Sequence, residues 1–239
     1  MKTGMKQGRS MLLRAAAALL LLTALGITGF RAYAADDHAA GSYTPQIKEV
    51  EETEDYIVYG DTDSAAGFIF YPGAKVEEAA YAPIMDELAQ AGVCCVVVKM
   101  PYHLAVFDVN AAERVMRELP EVEAWYIGGH SLGGAMAAAF AARHEQSVAG
   151  LILLAAYPTK EIKHLPVLSL YGSEDEVLNK EKYEKSASLA VHLTEYVIEG
   201  GNHAGFGNYG VQKGDGEAYL AREEQWQETV DYILNFIKK

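Results

Sequence analysis

The chain has 239 residues, with 33 Asp and Glu against 20 Lys and Arg and a net charge of −13. That balance argues against nucleic acid and anionic membranes as partners, because both would be repelled. Two cysteines in this length exclude a disulfide-built scaffold.

Residues 1–34 read as a segment apart from the fold. Lys2, Lys6, Arg9 and Arg14 precede an uncharged run over 15–30, and Ala32-Tyr33-Ala34 fits the small-x-small pattern of a signal-peptidase site. A membrane span needs about 20 apolar residues, so the run is short for one unless its flanks extend it into an uncleaved anchor. The expectation is a secretory signal peptide or, without cleavage, a membrane anchor. The rest of the chain would then be secreted or held at an extracytoplasmic surface, with membrane attachment confined to this segment. Its removal takes five basic residues and moves the net charge from −13 to −18.

Residues 35–45 read as a linker, and 46–239 as one domain large enough for a single core. One or two half-exposed strands are expected in 46–59. The apolar run 67–71, stopped by Pro72-Gly73, reads as a central strand covered on both faces. Helical spacing follows over 79–91, with Ile84, Met85 and Leu88 as its apolar stripe and Gly92 as its stop. The next buried strand, 93–99, carries Cys94 and Cys95. Adjacent strand residues point to opposite faces, so the two thiols read as unpaired core residues. Asn110 is placed to cap a helix that ends before Pro120.

Strands are then expected at 124–127, 148–156, 167–171 and 194–198. A charged helix over 180–189 precedes the last of them, and an amphipathic helix over 221–239 closes the chain. Apolar strands alternating with helices indicate an α/β fold, a mostly parallel central sheet with helices on both faces. In such sheets the site lies beyond the carboxyl ends of the strands.

The strand 124–127 runs into Gly129-His130-Ser131-Leu132-Gly133-Gly134 and then an alanine-rich helix. A Gly-x-Ser-x-Gly pattern between strand and helix is a nucleophile elbow, with the serine raised on a strained turn and small residues letting the backbones cross. Ser131 is thus the candidate nucleophile. A serine hydroxyl needs a base within reach and a group to orient that base. His203, in the glycine-bounded loop Glu199-Gly200-Gly201-Asn202-His203-Ala204-Gly205 after the last strand, is the candidate base. For the acid, Ser173-Glu174-Asp175-Glu176 after the penultimate strand offers three carboxylates. Ala155-Ala156-Tyr157-Pro158, after the strand before it, offers none.

These stretches resemble the α/β-hydrolase fold family, over most of residues 64–237, and look most like its compact, lidless branch grouped with dienelactone hydrolases. The resemblance rests on Phe70-Tyr71-Pro72-Gly73-Ala74, Gly129-His130-Ser131-Leu132-Gly133-Gly134, Leu170-Tyr171-Gly172-Ser173-Glu174-Asp175 and Gly200-Gly201-Asn202-His203. It implies Ser131 as nucleophile, His203 as base and Asp175 as the acid between them in chain order. Pro72-Gly73 stands where many members carry His-Gly. The oxyanion hole is expected from the amide of Leu132 and that of Ala74, with Lys75 as second choice. No substantial lid is expected, because ten residues separate 156 from 167.

His103 is a further candidate for the pocket wall, the glycine-rich loop 206–216 for its rim, and His130 and Met136 read as packing. No His-Glu-x-x-His, phosphate-binding loop or dinucleotide fingerprint occurs, Gly214-Asp215-Gly216 reads as a turn, and no cofactor or metal is expected. The leading reading is a serine hydrolase cleaving small or medium carboxylic esters through an acyl-enzyme. A serine peptidase or amidase with the same three residues, and an inactive binding module of the same fold, are the alternatives.

Overall fold

The computed structural model describes residues 37–238. The signal or anchor expected over 1–34 lies outside them. Among the described residues no helix is long and apolar enough to cross a membrane.

Eight strands form one sheet in the order β1-β2-β4-β3-β5-β6-β7-β8. The strands β1 (Val50–Glu52) and β2 (Tyr56–Tyr59) form an antiparallel hairpin, and β2 runs antiparallel to β4 (Val93–Val98). From there every pairing is parallel, through β3 (Ala66–Tyr71), β5 (Ala124–His130), β6 (Gly150–Leu154), β7 (Ile162–Gly172) and β8 (Ala190–Ile198). The hairpin differs from the half-exposed pair expected: β1 is exposed, whereas all four residues of β2 are buried.

Alternation along β3 sends Phe68 and Phe70 to one face and Ile69 and Tyr71 to the other. The first face is covered by α1 (Ala82–Gln90) and α5 (Arg222–Ile237), through Ile84, Met85, Leu88, Trp226, Val230 and Ile233. The second is covered by α2 (Ala111–Glu118) and α3 (Leu132–Ala141), through Val115, Ala137 and Phe140. Cys94 and Cys95 fall in opposite layers as free thiols. Burial raises the Cys94 thiol to about 11 and Cys95 further, so both stay protonated and inert.

Three local features differ from the sequence expectation. Asn110 stands at the N-cap of α2 but does not cap it, because its Oδ1 accepts from Arg143 Nη2 at 2.9 Å. The Tyr71 hydroxyl takes that place, accepting the Ala112 amide at 2.8 Å. Strands β7 and β8 each begin earlier than 167 and 194, with a register irregularity between Ile162 and Pro166. The described part of the linker stretch is laid on the domain: His38 bridges to Val76, and Gly41 N donates to Asn208 O at 2.6 Å. Just beyond it, the buried carboxylate of Asp86 on α1 accepts the Tyr43 hydroxyl and the amides of Gln46 and Ile47. A fourth helix, α4 (Lys180–Ala187), starts at Asn179, whose Oδ1 accepts the Lys182 amide at 2.8 Å.

Only residues 155–161 separate β6 from β7, which leaves no room for a helical lid over the carboxyl ends of the strands.

Candidate active site

Ser131 sits between β5 and α3 with φ 52° and ψ −121°, a conformation that costs a non-glycine residue of the order of 1–3 kcal/mol. Its amide is held by the Leu154 carbonyl of the neighbouring strand at 2.9 Å. The strain persists because the surroundings admit no relaxation. A Cβ on Gly133 would lie 2.1 Å from the Tyr71 carbonyl oxygen and 2.2 Å from that of Pro72, so the first turn of α3 is pressed against the loop leaving β3. The elbow and that loop are therefore neighbours.

The loop after β8 brings His203 to the same region. Its Nδ1 lies 2.9 Å from Asp175 Oδ2, and both side chains are almost wholly buried. A carboxylate can only accept, so Nδ1 carries the proton and Nε2 presents its lone pair. Nε2 is buried without a hydrogen-bond partner. Ser131 and His203 line one cleft of about 420 Å³, and no hydrogen bond joins them. Such bonds often tighten only when substrate is bound.

The carboxylates after β7 are separated by burial. Asp175 is buried and its Oδ1 accepts the amides of Val177 at 2.9 Å and Leu178 at 2.7 Å, leaving Oδ2 for the imidazole. Glu176 is exposed, and Glu174 accepts the neighbouring Ser173 hydroxyl. The turn that carries Asp175 and the loop that carries His203 touch through backbone: a Cβ on Gly172 would lie 2.1 Å from Gly201 O, and Glu174 N donates to that oxygen at 2.9 Å.

Several backbone amides near Ser131 have no acceptor among the described residues, the first three of α3 among them, and two of these are the donors expected from the sequence. One is Leu132, the first residue of α3, where an N–H has no partner within the helix. The other is Ala74. The amide of Lys75, the second-choice donor, is given to the His103 carbonyl at 2.8 Å. His103 also leaves the pocket wall, pairing through Nδ1 with Glu78 at 3.2 Å.

The loop 206–216 does not form the rim of the Ser131 cleft either. Phe206 and Tyr209 turn into the core, and Gly210, Val211, Asp215 and Gly216 line a separate cavity behind His203. Asp215, read as part of a turn, supports the base loop: its carboxylate accepts the amides of Ala204 at 2.8 Å and His203 at 3.3 Å. The buried Gln225 side chain does the same from α5, accepting from Asn202 N at 3.1 Å and donating to Asn202 O at 2.9 Å. Among the described residues no group of three or more His, Cys, Asp or Glu is arranged to hold a metal ion.

His130, one residue before Ser131, is buried with its ring 4.5 Å from that of His203. Burial first, and the neighbouring His203 second, hold its imidazole well below the ordinary value of 6.5. The unfolded chain therefore binds an extra proton once pH falls below about 6.5. His130 leaves stability intact above that value and lowers it below, with a slope of at most about 1.4 kcal/mol per pH unit. Urea unfolding between pH 7 and pH 5 should show a shallower loss of stability for His130→Gln than for the wild type; equal slopes would contradict it.

The comparisons agree with this architecture. No curated protein matches the sequence. Solved structures do match at low identity, which speaks for the fold alone. Est1E from Butyrivibrio proteoclasticus, solved with ferulic acid bound, is 16% identical over 83% of this chain and 100% of that one, with a TM-score of 0.58. Esterase 2 from Thermogutta terrifontis, phosphoramylated by tabun, is 14% identical over 82% and 97%, with a TM-score of 0.60. A predicted CIB-like hydrolase from Thermoplasma acidophilum is 19% identical over 78% and 97%, with a TM-score of 0.56. The family model described as the alpha/beta hydrolase family matches residues 67–227, from β3 with its loop, through the elbow and the acid and base loops, into the final helix. By that match, on a lidless parallel sheet of the corresponding build, the chain belongs to the alpha/beta hydrolase family.

Proposed function

We propose that this protein is a serine hydrolase of uncharged carboxylic esters, with Ser131 as nucleophile, His203 as general base, Asp175 as its orienting acid, and the Leu132 and Ala74 amides as the oxyanion hole. The observation that carries the reading is the state of His203: Nδ1 is bound to a buried carboxylate, and Nε2 is unpartnered in the wall of the cleft that holds Ser131. In that state the imidazole takes the serine proton as Oγ attacks the ester carbonyl. Asp175 keeps the tautomer and stabilises the imidazolium, and the two amides hold the oxyanion. The imidazolium then protonates the leaving alcohol, and water attacks the acyl-enzyme by the same route.

The cleft wall suggests the substrate. Met136, Ala155, Tyr157, Val177 and Leu178 line it, and no Lys or Arg does, so an acyl group would meet apolar surface with nothing to neutralise an anion. Among known proteins, the Thermogutta neighbour is an esterase phosphoramylated by tabun, in keeping with an ester hydrolase.

The test is hydrolysis of p-nitrophenyl esters from acetate to longer acyl chains, beside mass spectrometry of the protein treated with a fluorophosphonate. Turnover and an adduct on Ser131 are expected. No turnover with the adduct present would overturn the ester assignment, and absence of both would overturn the enzyme.

A further inference from the structure

We propose that Tyr81 and His130 are positioning residues that set the oxyanion loop against the nucleophile and the base, through one buried hydroxyl shared between Gly73 and His130. The inference rests on the ester-hydrolase reading above. Tyr81 is fully buried at the end of the 3₁₀ turn Glu78–Tyr81 that leads into α1. Its Oη accepts the Gly73 amide at 2.9 Å and lies 3.0 Å from His130 Nδ1. No other acceptor for the phenol's single proton occurs among the described residues, so the tautomer that uses it has Tyr81 donating to Nδ1 and His130 carrying its own proton on Nε2.

This arrangement decides which amide faces the reaction. Pro72 has no amide proton, that of Gly73 is bound to Tyr81, and that of Lys75 is bound to His103 O. The peptide planes before and after the Gly73–Ala74 plane are both anchored, and the plane between them, tied at Gly73 O to the Val76 amide by a long 3.3 Å bond, carries the unpartnered Ala74 N–H. Take away the Tyr81 hydroxyl and the first anchor is lost, so the Ala74 amide gains freedom to rotate. An oxyanion donor acts through preorganisation, and such freedom lowers its effect in the transition state more than in substrate binding.

The same hydroxyl reaches the other two parts of the site. His130 immediately precedes Ser131, and its ring lies 4.5 Å from that of His203, tilted against it by 51°. Phe70, with its ring 4.6 Å from Tyr81, and Phe206, 5.8 Å from His130, enclose the pair in apolar surface, where a satisfied hydrogen bond is stronger than in water. Contact with the loop is close: a Cβ on Gly73 would lie 2.8 Å from His130 Nδ1 and 2.9 Å from Tyr81 Oη.

The experiment uses the full chain and its Tyr81→Phe variant, with competent sites counted by fluorophosphonate titration. The expected result is a fall in kcat per titrated site of about 10–100-fold, an equal weakening of an alkyl boronic acid that mimics the tetrahedral state, and a KM within about threefold of wild type. A purely structural tyrosine would reduce the number of titratable sites and leave kcat per site and boronate affinity within about threefold; that result overturns the proposal. Tyr126→Phe is the control, since its hydroxyl bonds Ile237 O at 3.2 Å from the far end of β5. Should Tyr81→Phe not fold, Gly73→Ala decides by the same readouts: its methyl displaces the Tyr81–His130 pair, the same kcat-selective loss is expected, and an unchanged kcat per site overturns the inference. Failure of the ester-hydrolase reading shows instead in the wild type, as absence of ester turnover with or without the label, and the inference falls with it.

Discussion

Ser131→Ala is expected to lower kcat for a p-nitrophenyl ester by about 10⁴–10⁶, leaving KM and thermal stability close to wild type. The expected loss is large because the variant removes the atom that forms the acyl-enzyme in the proposed mechanism, and no other hydroxyl is available on the elbow between Gly129 and Gly134. Stability should hold because alanine at φ 52° is strained about as much as serine, and the amide bond to Leu154 O does not involve the side chain. Ser131→Gly should be equally inactive and more stable by about 1 kcal/mol, since glycine adopts this conformation without strain. The pair separates chemistry from folding: two inactive proteins, one of them more stable than the parent. A Ser131→Ala rate within tenfold of wild type would remove the serine from the mechanism and leave the cleft as a binding site.

Where the sequence was readable and where it was not follows from how much of each feature is written in side-chain pattern. Strands β3, β4, β5 and β6 are near-continuous apolar runs because both faces of the sheet are covered, and their positions could be read directly. The first halves of β7 and β8 could not. Lys163 and His164 are exposed, Pro166 interrupts the ladder donors, and Val191 and His192 stand exposed on the strand that ends the sheet. Ser131 and His203 stood out because glycines mark the turns that carry them.

The supporting residues left no such mark. Asp215 acts on backbone amides, so nothing in neighbouring side chains announces it. Tyr81 is one of fifteen tyrosines and falls within an expected helix, and only its two partners, 8 and 49 residues away, reveal its place. The sequence favours Ala74 over Lys75 as donor without separating them physically, and the His103 carbonyl, on a separate loop, takes the Lys75 amide.

The three adjacent carboxylates pose the same problem, and mutation resolves it. Asp175→Asn is expected to lower kcat/KM by about 10³–10⁴, whereas Glu174→Gln and Glu176→Gln should stay within about twofold. The asymmetry comes from Oδ1 of Asp175, which is committed to the amides of Val177 and Leu178. An asparagine must keep its carbonyl oxygen there, because its NH₂ would face two N–H donors. Its NH₂ is then turned toward His203 Nδ1, which can no longer donate and must accept. The imidazole proton moves to Nε2, the atom that has to receive the serine proton, and the base is lost with the fold intact. Glu176 is exposed and the Glu174 carboxylate accepts from its neighbour Ser173, so neither substitution reaches the imidazole. The check is kcat/KM and the melting temperature of all three variants on one ester. A twofold effect for Asp175→Asn beside a large one for either glutamate would move the acid role to that glutamate, and with it the tautomer argument for His203.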